Sequence, residues 1–455
     1  MSGRRALRQL LLASLAFPLV TSCFSRHVEP VESAPVVRPP DLPTPPVEPV
    51  PTAPVPPDPT PGTGPLVRVA LRVGPGMPIV AAGAWRLVDA GGGVLVRSRA
   101  RENWAIERQG RRLRAIRADG VATAWQSRPL MQYPDDAGLL MIGNKFYRGA
   151  ITFVATDSGV LAVNHLPIEQ YLRGVVPIEI GERGPAERAA VEAQAIAARS
   201  YTVTRLVLAR AGNGRSPDFD LVASVGDQVY GGREAERPVS DAAVRTTAGL
   251  VLRIGARVVT APFYSTCGGE SAAAEEVWRT DGEPHLRRVS DRIPGTSRYY
   301  CDIAPRFAWT RVLTAREMDE SVRRYLATYV TVPSGGPGRL VALSVDGRTP
   351  SGRVAQLIVG TEKGSYTVRG NEARQVLRTA SGEPLNSSYF SVTTESSAGR
   401  LVRAIFRGNG YGHGVGMCQW GAIGRARAGF DVRTILRTYY PGTIIGSIPP
   451  GILTP

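Results

Sequence analysis

The stretch 185 PAERAAVEAQAIAARSYTVTRLVLARA 211 has no glycine and no proline after its opening Pro185, and Gly212 follows it directly. Alanine is the strongest helix former, proline suits a first helical turn, and glycine stops a helix. The stretch therefore predicts one long helix. Working outward from it, the chain on the N-terminal side has short alternating apolar runs broken by glycines, such as 66 LVRVALRVG 74, 85 WRLVDAGGGVLVRS 98 and 112 RLRAI 116. These read as antiparallel strands and hairpins, and they continue through 151 to 166. On the C-terminal side, 239 to 269 reads as a helix and two strands, Met318 to Val330 as a second helix and 339 to 360 as a hairpin. No internal repeat is evident. Strands in runs with a few helices predict an α+β class, mostly antiparallel sheet with two lobes around a groove.

The first 65 residues are different in kind. Arg4, Arg5 and Arg8 precede the apolar core LLASLAFPLV and then small residues, the layout of a secretory signal, and that core is too short to span a bilayer. The residues 20 VTSC 23 resemble a bacterial lipobox, which makes Cys23 the acylated residue and the anchor to a membrane. Phe24, in place of an acidic residue after the cysteine, points to outer-membrane sorting within the periplasm. From Glu29 to Pro65 proline dominates, so this part predicts an extended tether with a reach on the order of 100 Å. The expected organisation is a signal over 1–23, a tether over 24–65, a β-rich lobe over 66–159, a catalytic region over 160–445 and a tail over 446–455. The formal charge of +16 comes almost wholly from arginine, since Lys145 and Lys363 are the only lysines. There is no dense basic run with interleaved aromatics, so the sequence does not read as nucleic-acid binding. A basic exterior instead favours anionic envelope polymers.

Three separated motifs carry the chemistry: 161 LAVNHLPIEQYLRGVVPIEI 180, 263 FYSTCGGESAAAEEVW 278 and 408 GNGYGHGVGMCQWGA 422. The last has six glycines in fifteen positions, a density that suggests a tight, shaped surface. In this order the three resemble the SpoIID/LytB family, named for the stage II sporulation protein D and the amidase enhancer, over about Leu66 to Pro441. The segments 192 EAQAIAARSY 201 and DQVYGG at 227 to 232 fit the same resemblance, and 367 to 379 resembles the family's arginine-bearing helix. Family members act on bacterial peptidoglycan.

Glu179 is the candidate catalytic acid, in 174 GVVPIEIG 181, read as lying after a strand and before the helix. Its neighbours Val176, Ile178 and Ile180 are apolar, and desolvation keeps a carboxyl protonated near neutral pH. The resemblance assigns this glutamate the family's acid role, with Ile178 and Ile180 in place of the usual small residue and methionine. Ordinary glycosidases need two carboxylates. A lytic transglycosylase needs one, because the attacking oxygen is the sugar's own 6-hydroxyl. Glu169 is read as a structural partner. Gln194, Arg199, Tyr201, Gln228 and Tyr230 are candidate substrate-binding residues; for Arg199 a buried role satisfying backbone carbonyls stands beside the binding role. His413 either lines the groove beside Glu179 or hydrogen-bonds within the glycine turns, and His165 and His285 read as structural.

With Cys23 given to lipid, Cys267, Cys301 and Cys418 remain. One reading is a Cys267 to Cys301 disulfide with Cys418 buried as a thiol. The other is zinc held by Cys267, Cys301, Cys418 and His413, residue types that suit it. Some family members bind zinc through a histidine at the position of Tyr264, and that ligand is missing here. A cysteine-nucleophile reading of Cys418 with His413 lacks an orienting third residue. The resemblance thus implies a peptidoglycan lytic transglycosylase that cuts between N-acetylmuramic acid and N-acetylglucosamine, with peptide-free strands as a candidate substrate. The other class it implies is a non-enzymatic glycan-binding partner of an N-acetylmuramoyl-L-alanine amidase.

Overall fold

The computed structural model describes residues 64–135, 138–214, 216–398 and 400–452; the signal, Cys23 and most of the tether lie outside them. Among the described residues are eight helices: α1 (Ile168–Ile180), α2 (Arg188–Leu208), α3 (Pro238–Thr246), α4 (Ala274–Val277), α5 (Ala315–Tyr325), α6 (Ala373–Val376), α7 (Gln419–Arg427) and α8 (Val432–Tyr439). The class is α+β, with mostly antiparallel pairing. No described helix is long and apolar enough to cross a membrane.

A seven-stranded sheet orders the strands 221–222, 66–74, 159–167, 150–156, 130–134, 85–88 and 94–98. A five-stranded sheet of 112–117, 104–109, 77–81, 140–142 and 145–147 accompanies it. Val67, Ile79, Trp85 and Phe153 of these strands share one core with Tyr171 and Val175 of α1, Ala197 of α2 and Tyr439 of α8. The strands of 66–159 and the helices after them are thus fused into one apolar body. A second core is built from Leu313, Met318, Leu357, Phe390 and Phe406. It lies between the three-stranded sheets 308–314/400–409/390–397 and 340–348/354–361/364–369, with α5.

The long helix is where the alanine run places it, except that Pro185–Glu187 forms a 3-10 turn ahead of α2. Ala190, Ala193 and Ala197 are fully buried, and their small side chains let neighbouring elements come close to α2. The structure corrects the reading of Glu179. The strand 159–167 ends at Pro167, and 168–180 is helix, so Glu179 lies on the last turn of α1 and not in a connection before a helix. The β-branched pair Val175–Val176 and Pro177 look strand-like by propensity. Yet Ile168, Tyr171, Leu172, Val175 and Val176 all face the core at helical spacing, and burial outweighs propensity. Pro177 stands close to the helix end, where it removes one bond, and Gly181 closes the helix at φ 77°. The arginine-bearing segment 367–379 contains a 3-10 turn, Gly370–Glu372, and the single-turn helix α6 after the strand 364–369.

Candidate active site

Glu179 stands at the C-terminal end of α1, partly exposed, with Ile178 beside it in solvent. Its Oε1 accepts the backbone N–H of Val229 at 2.8 Å. No cation of the described residues lies within ion-pairing distance of its carboxylate. Burial raises its pKa above the ordinary glutamate value, and the Val229 hydrogen bond offsets part of that rise. The negative end of the α1 dipole acts in the same direction as burial, since it disfavours an anion there. The result is a carboxyl with one oxygen fixed and its balance shifted toward the protonated form, the direction a general acid needs.

The segment 228–232 fixes this geometry. Gly231 N–H donates to Gly174 O at 3.0 Å, and a Cβ on Gly174 would lie 2.5 Å from the Tyr230 ring, so glycine at 174 lets this segment lie against α1. Gln228 is buried; its Oε1 accepts from Tyr171 Oη at 3.1 Å and Thr202 Oγ1 at 3.0 Å, and its Nε2 donates to Ala198 O. Tyr230 Oη donates to Asn164 Oδ1 at 3.0 Å, and Tyr201 Oη to Asp227 Oδ1 at 2.8 Å. Gln228 and Tyr230 therefore tie α1, α2 and the strand 159–167 together directly behind Glu179, while Tyr201 remains half-buried at the edge of that node.

Arg199 has no exposed surface. Its Nε and Nη2 donate to both oxygens of Glu169, at 2.8 and 2.7 Å, and it also reaches the carbonyls of Leu250 and Val244. Gly249 N–H donates to Glu169 as well. Glu169 is thus engaged as a structural ion-pair partner and offers no second carboxylate beside Glu179. Gln194 is fully buried; its Oε1 accepts from Gln419 Nε2 at 3.3 Å, which joins α2 to the glycine-rich motif.

The second and third motifs meet directly, and the third reaches α2 and the residues just after α1. Phe263–Tyr264 pairs in parallel with Met417–Cys418, and Trp420 N–H donates to Ser265 O. Four residues after Glu179, Arg183 lays its guanidinium 4.9 Å from the centre of the half-buried Trp420 ring. Sequence reasoning singled out neither Trp420 nor Gln419, although both lie in the quoted motif. An aromatic ring at the end of α1 that carries the acid is a platform on which a sugar face can stack.

His413 is held in the glycine turns. Its Nε2 donates to Phe263 O at 2.9 Å, its Nδ1 accepts from Val415 N–H at 3.1 Å, and its ring stands between Tyr264 and Trp278 at 5.1 and 5.2 Å. Burial pushes it down to about 4, so it is neutral at ordinary pH with both nitrogens engaged. None of these contacts joins it to Glu179. Gly416, at φ 78°, illustrates how tight these turns are: a Cβ there would fall 2.1 Å from Pro262 O.

Cys267, Cys301 and Cys418 are buried and unbridged in this structure, with Cys267 Sγ 3.3 Å from Cys301 Sγ. The three sulfurs come together with a fourth group, the Asp291 carboxylate, and not with His413. No sequence motif marks Asp291.

Comparison with known proteins bears on the same chain. Residues 156–253, which span α1, α2 and the 228–232 segment, match the family model SpoIID, described as stage II sporulation protein. Residues 297–416, which include the second core, match a domain of unknown function, DUF8618. The chain is 29% identical over 308 residues to an uncharacterized protein of Brachyspira hyodysenteriae, covering 68% of this chain and 74% of that one. It is 29% identical over 296 residues to stage II sporulation protein D of Bacillus subtilis, 62% of this chain and 76% of that one. It is also 28% identical over 313 residues to the amidase enhancer of Bacillus subtilis, 61% of this chain but only 40% of that longer protein.

Proposed function

Because this chain belongs to the SpoIID/LytB family, we propose that it has a cell-wall role as a lytic transglycosylase acting on peptidoglycan glycan strands, with Glu179 as its one acid and base. The observation that carries this reading is the Glu179 carboxyl: desolvated, fixed by Val229 N–H and, among the described residues, without a cation in ion-pairing distance. Glu179 protonates the oxygen between N-acetylmuramic acid and N-acetylglucosamine as the bond from that oxygen to the muramyl C1 breaks. The muramyl 6-hydroxyl then attacks C1 while the Glu179 carboxylate takes its proton. The products are a new N-acetylglucosamine 4-hydroxyl end and a 1,6-anhydromuramyl end, and Glu179 returns to its protonated state. Trp420 and Tyr201, both half-buried, would bind the sugars. Secretion, acylation at Cys23 and delivery to the periplasmic face of the outer membrane belong to the same proposal, since glycan strands lie there.

The pH dependence tests the acid role. Activity requires protonated Glu179, so it is present below the folded-state pKa and is lost as pH rises through it. Because burial raises that pKa, the alkaline limb of kcat/KM on peptide-free strands is expected above the ordinary glutamate value of about 4.3. A limb at the ordinary value would contradict a desolvated acid.

A second reading is supported by the relative named amidase enhancer: glycan binding at this surface that stimulates a partner amidase. It predicts no cleavage by the purified protein on intact or peptide-free strands, together with faster amidase turnover when the protein is added.

A further inference from the structure

Where the second and third motifs meet, four chain segments deliver Cys267, Cys301, Cys418 and Asp291 to one buried point. We propose that these four residues bind a single zinc ion as a closed, structural Cys3Asp site. The proposal is independent of the catalytic reading above.

All four side chains are essentially inaccessible to solvent. Their ligand atoms lie within 4.8 Å of one another, with Cys267 Sγ 3.3 Å from Cys301 Sγ and 3.3 Å from Asp291 Oδ2. A tetrahedron with zinc–sulfur bonds of ~2.3 Å and a zinc–oxygen bond of ~2.0 Å has edges of about 3.5 to 3.8 Å, so the cluster has the size of a zinc coordination shell. Ligand number and type also fit. Three soft thiolates and one carboxylate fill four positions and leave none for water, which distinguishes a structural site from a catalytic one.

The surroundings are those of metal ligands held in place. Asp291 Oδ1 is occupied by Arg425 Nη1 and by Tyr439 Oη at 2.7 Å, which turns Oδ2 toward the sulfurs. Cys418 Sγ accepts the backbone N–H groups of Cys267 and Gly421, each at 3.2 Å. Gly421 has no alternative residue: a Cβ there would lie 2.0 Å from Asp291 Oδ2. Hydrogen bonds to ligand atoms from outside the shell orient them and tune their charge. Three thiolates and a carboxylate carry four negative charges; zinc cancels two, and Arg425 with the N–H donors meets the remainder. An uncompensated buried carboxylate and thiol cluster would otherwise be costly. In the fold, the ion would pin the turn after Phe263–Tyr264 to the start of α7, the connection that carries Gln419 and Trp420 toward α1 and α2.

The test uses the full chain, purified without chelator, with elemental analysis and non-reducing peptide mapping. Stoichiometric zinc with Cys267, Cys301 and Cys418 all alkylated only after zinc is removed is the expected result. Replacement of zinc by cobalt should give thiolate-to-metal charge transfer and tetrahedral d–d absorption. Cys301→Ser should lose the metal. Should that variant fail to fold, Tyr439→Phe keeps the ligands and removes one orienting hydrogen bond; zinc affinity read by chelator competition should fall roughly 10- to 100-fold. A disulfide between any two of the three cysteines in the isolated protein, absence of zinc, iron or copper in its place, or unchanged zinc affinity in Tyr439→Phe would overturn the proposal.

Discussion

Glu179→Gln is expected to lower glycan cleavage by roughly 10²- to 10⁴-fold, the usual contribution of general acid–base catalysis, while fold and glycan affinity stay unchanged. Glutamine keeps the shape of the side chain, and its Oε1 still accepts the Val229 N–H. What it loses is the proton to donate. The loss should therefore fall on kcat and leave KM near its original value, since no cation is released and no core group is removed. The measurement is release of soluble fragments from peptide-free strands at several substrate concentrations, with circular dichroism as the control on folding. Undiminished kcat in the variant would remove Glu179 from the mechanism. An equal loss after Glu169→Gln in a protein that remains folded would argue that two carboxylates are needed.

The largest effect on stability is expected at Arg199. Arg199→Met removes a fully buried guanidinium that donates to Glu169, Leu250 O and Val244 O. The ion pair need not add net stability relative to an apolar pair, but breaking one half of a buried pair costs about 3–5 kcal/mol. Here the loss leaves Glu169 without its counter-charge and takes one donor from each of Leu250 O and Val244 O. A fall of that size in the free energy of unfolding, from the urea midpoint at constant slope, is the expected outcome. A change of less than about 1 kcal/mol would match a surface substitution and would show that Arg199 is not a structural tie. If the folded variant still cuts glycan with normal KM, Arg199 acts through the fold and not by touching sugar.

The parts of this fold legible in the sequence are those with a local physical signal. The alanine run of α2 excludes glycine and proline over its whole length, and the strands before it alternate at period two, so both announce themselves. α1 does not. Its Val175–Val176–Pro177 run looks extended, and only burial of Tyr171 and Val175 in the shared core makes it helical. The site divides in the same way. Glu179, Gln228 and Tyr230 are legible as residue types in short motifs, whereas the donor that fixes Glu179 is a backbone N–H fifty residues away, which no side chain advertises. His413 stands out by its glycines, yet its partners Phe263 and Trp278 come from another motif. Asp291 was invisible because nothing in its local sequence distinguishes it; it becomes a candidate ligand only when Arg425 and Tyr439 take its other oxygen.

The central claim is that one carboxyl performs both proton transfers, with the sugar's own hydroxyl as nucleophile. Mass spectrometry of the fragments released from purified glycan strands tests it most directly, because water and the 6-hydroxyl leave products that differ by the mass of one water. The account predicts 1,6-anhydromuramyl ends. Reducing muramyl ends would mean that water is the nucleophile, and would contradict it.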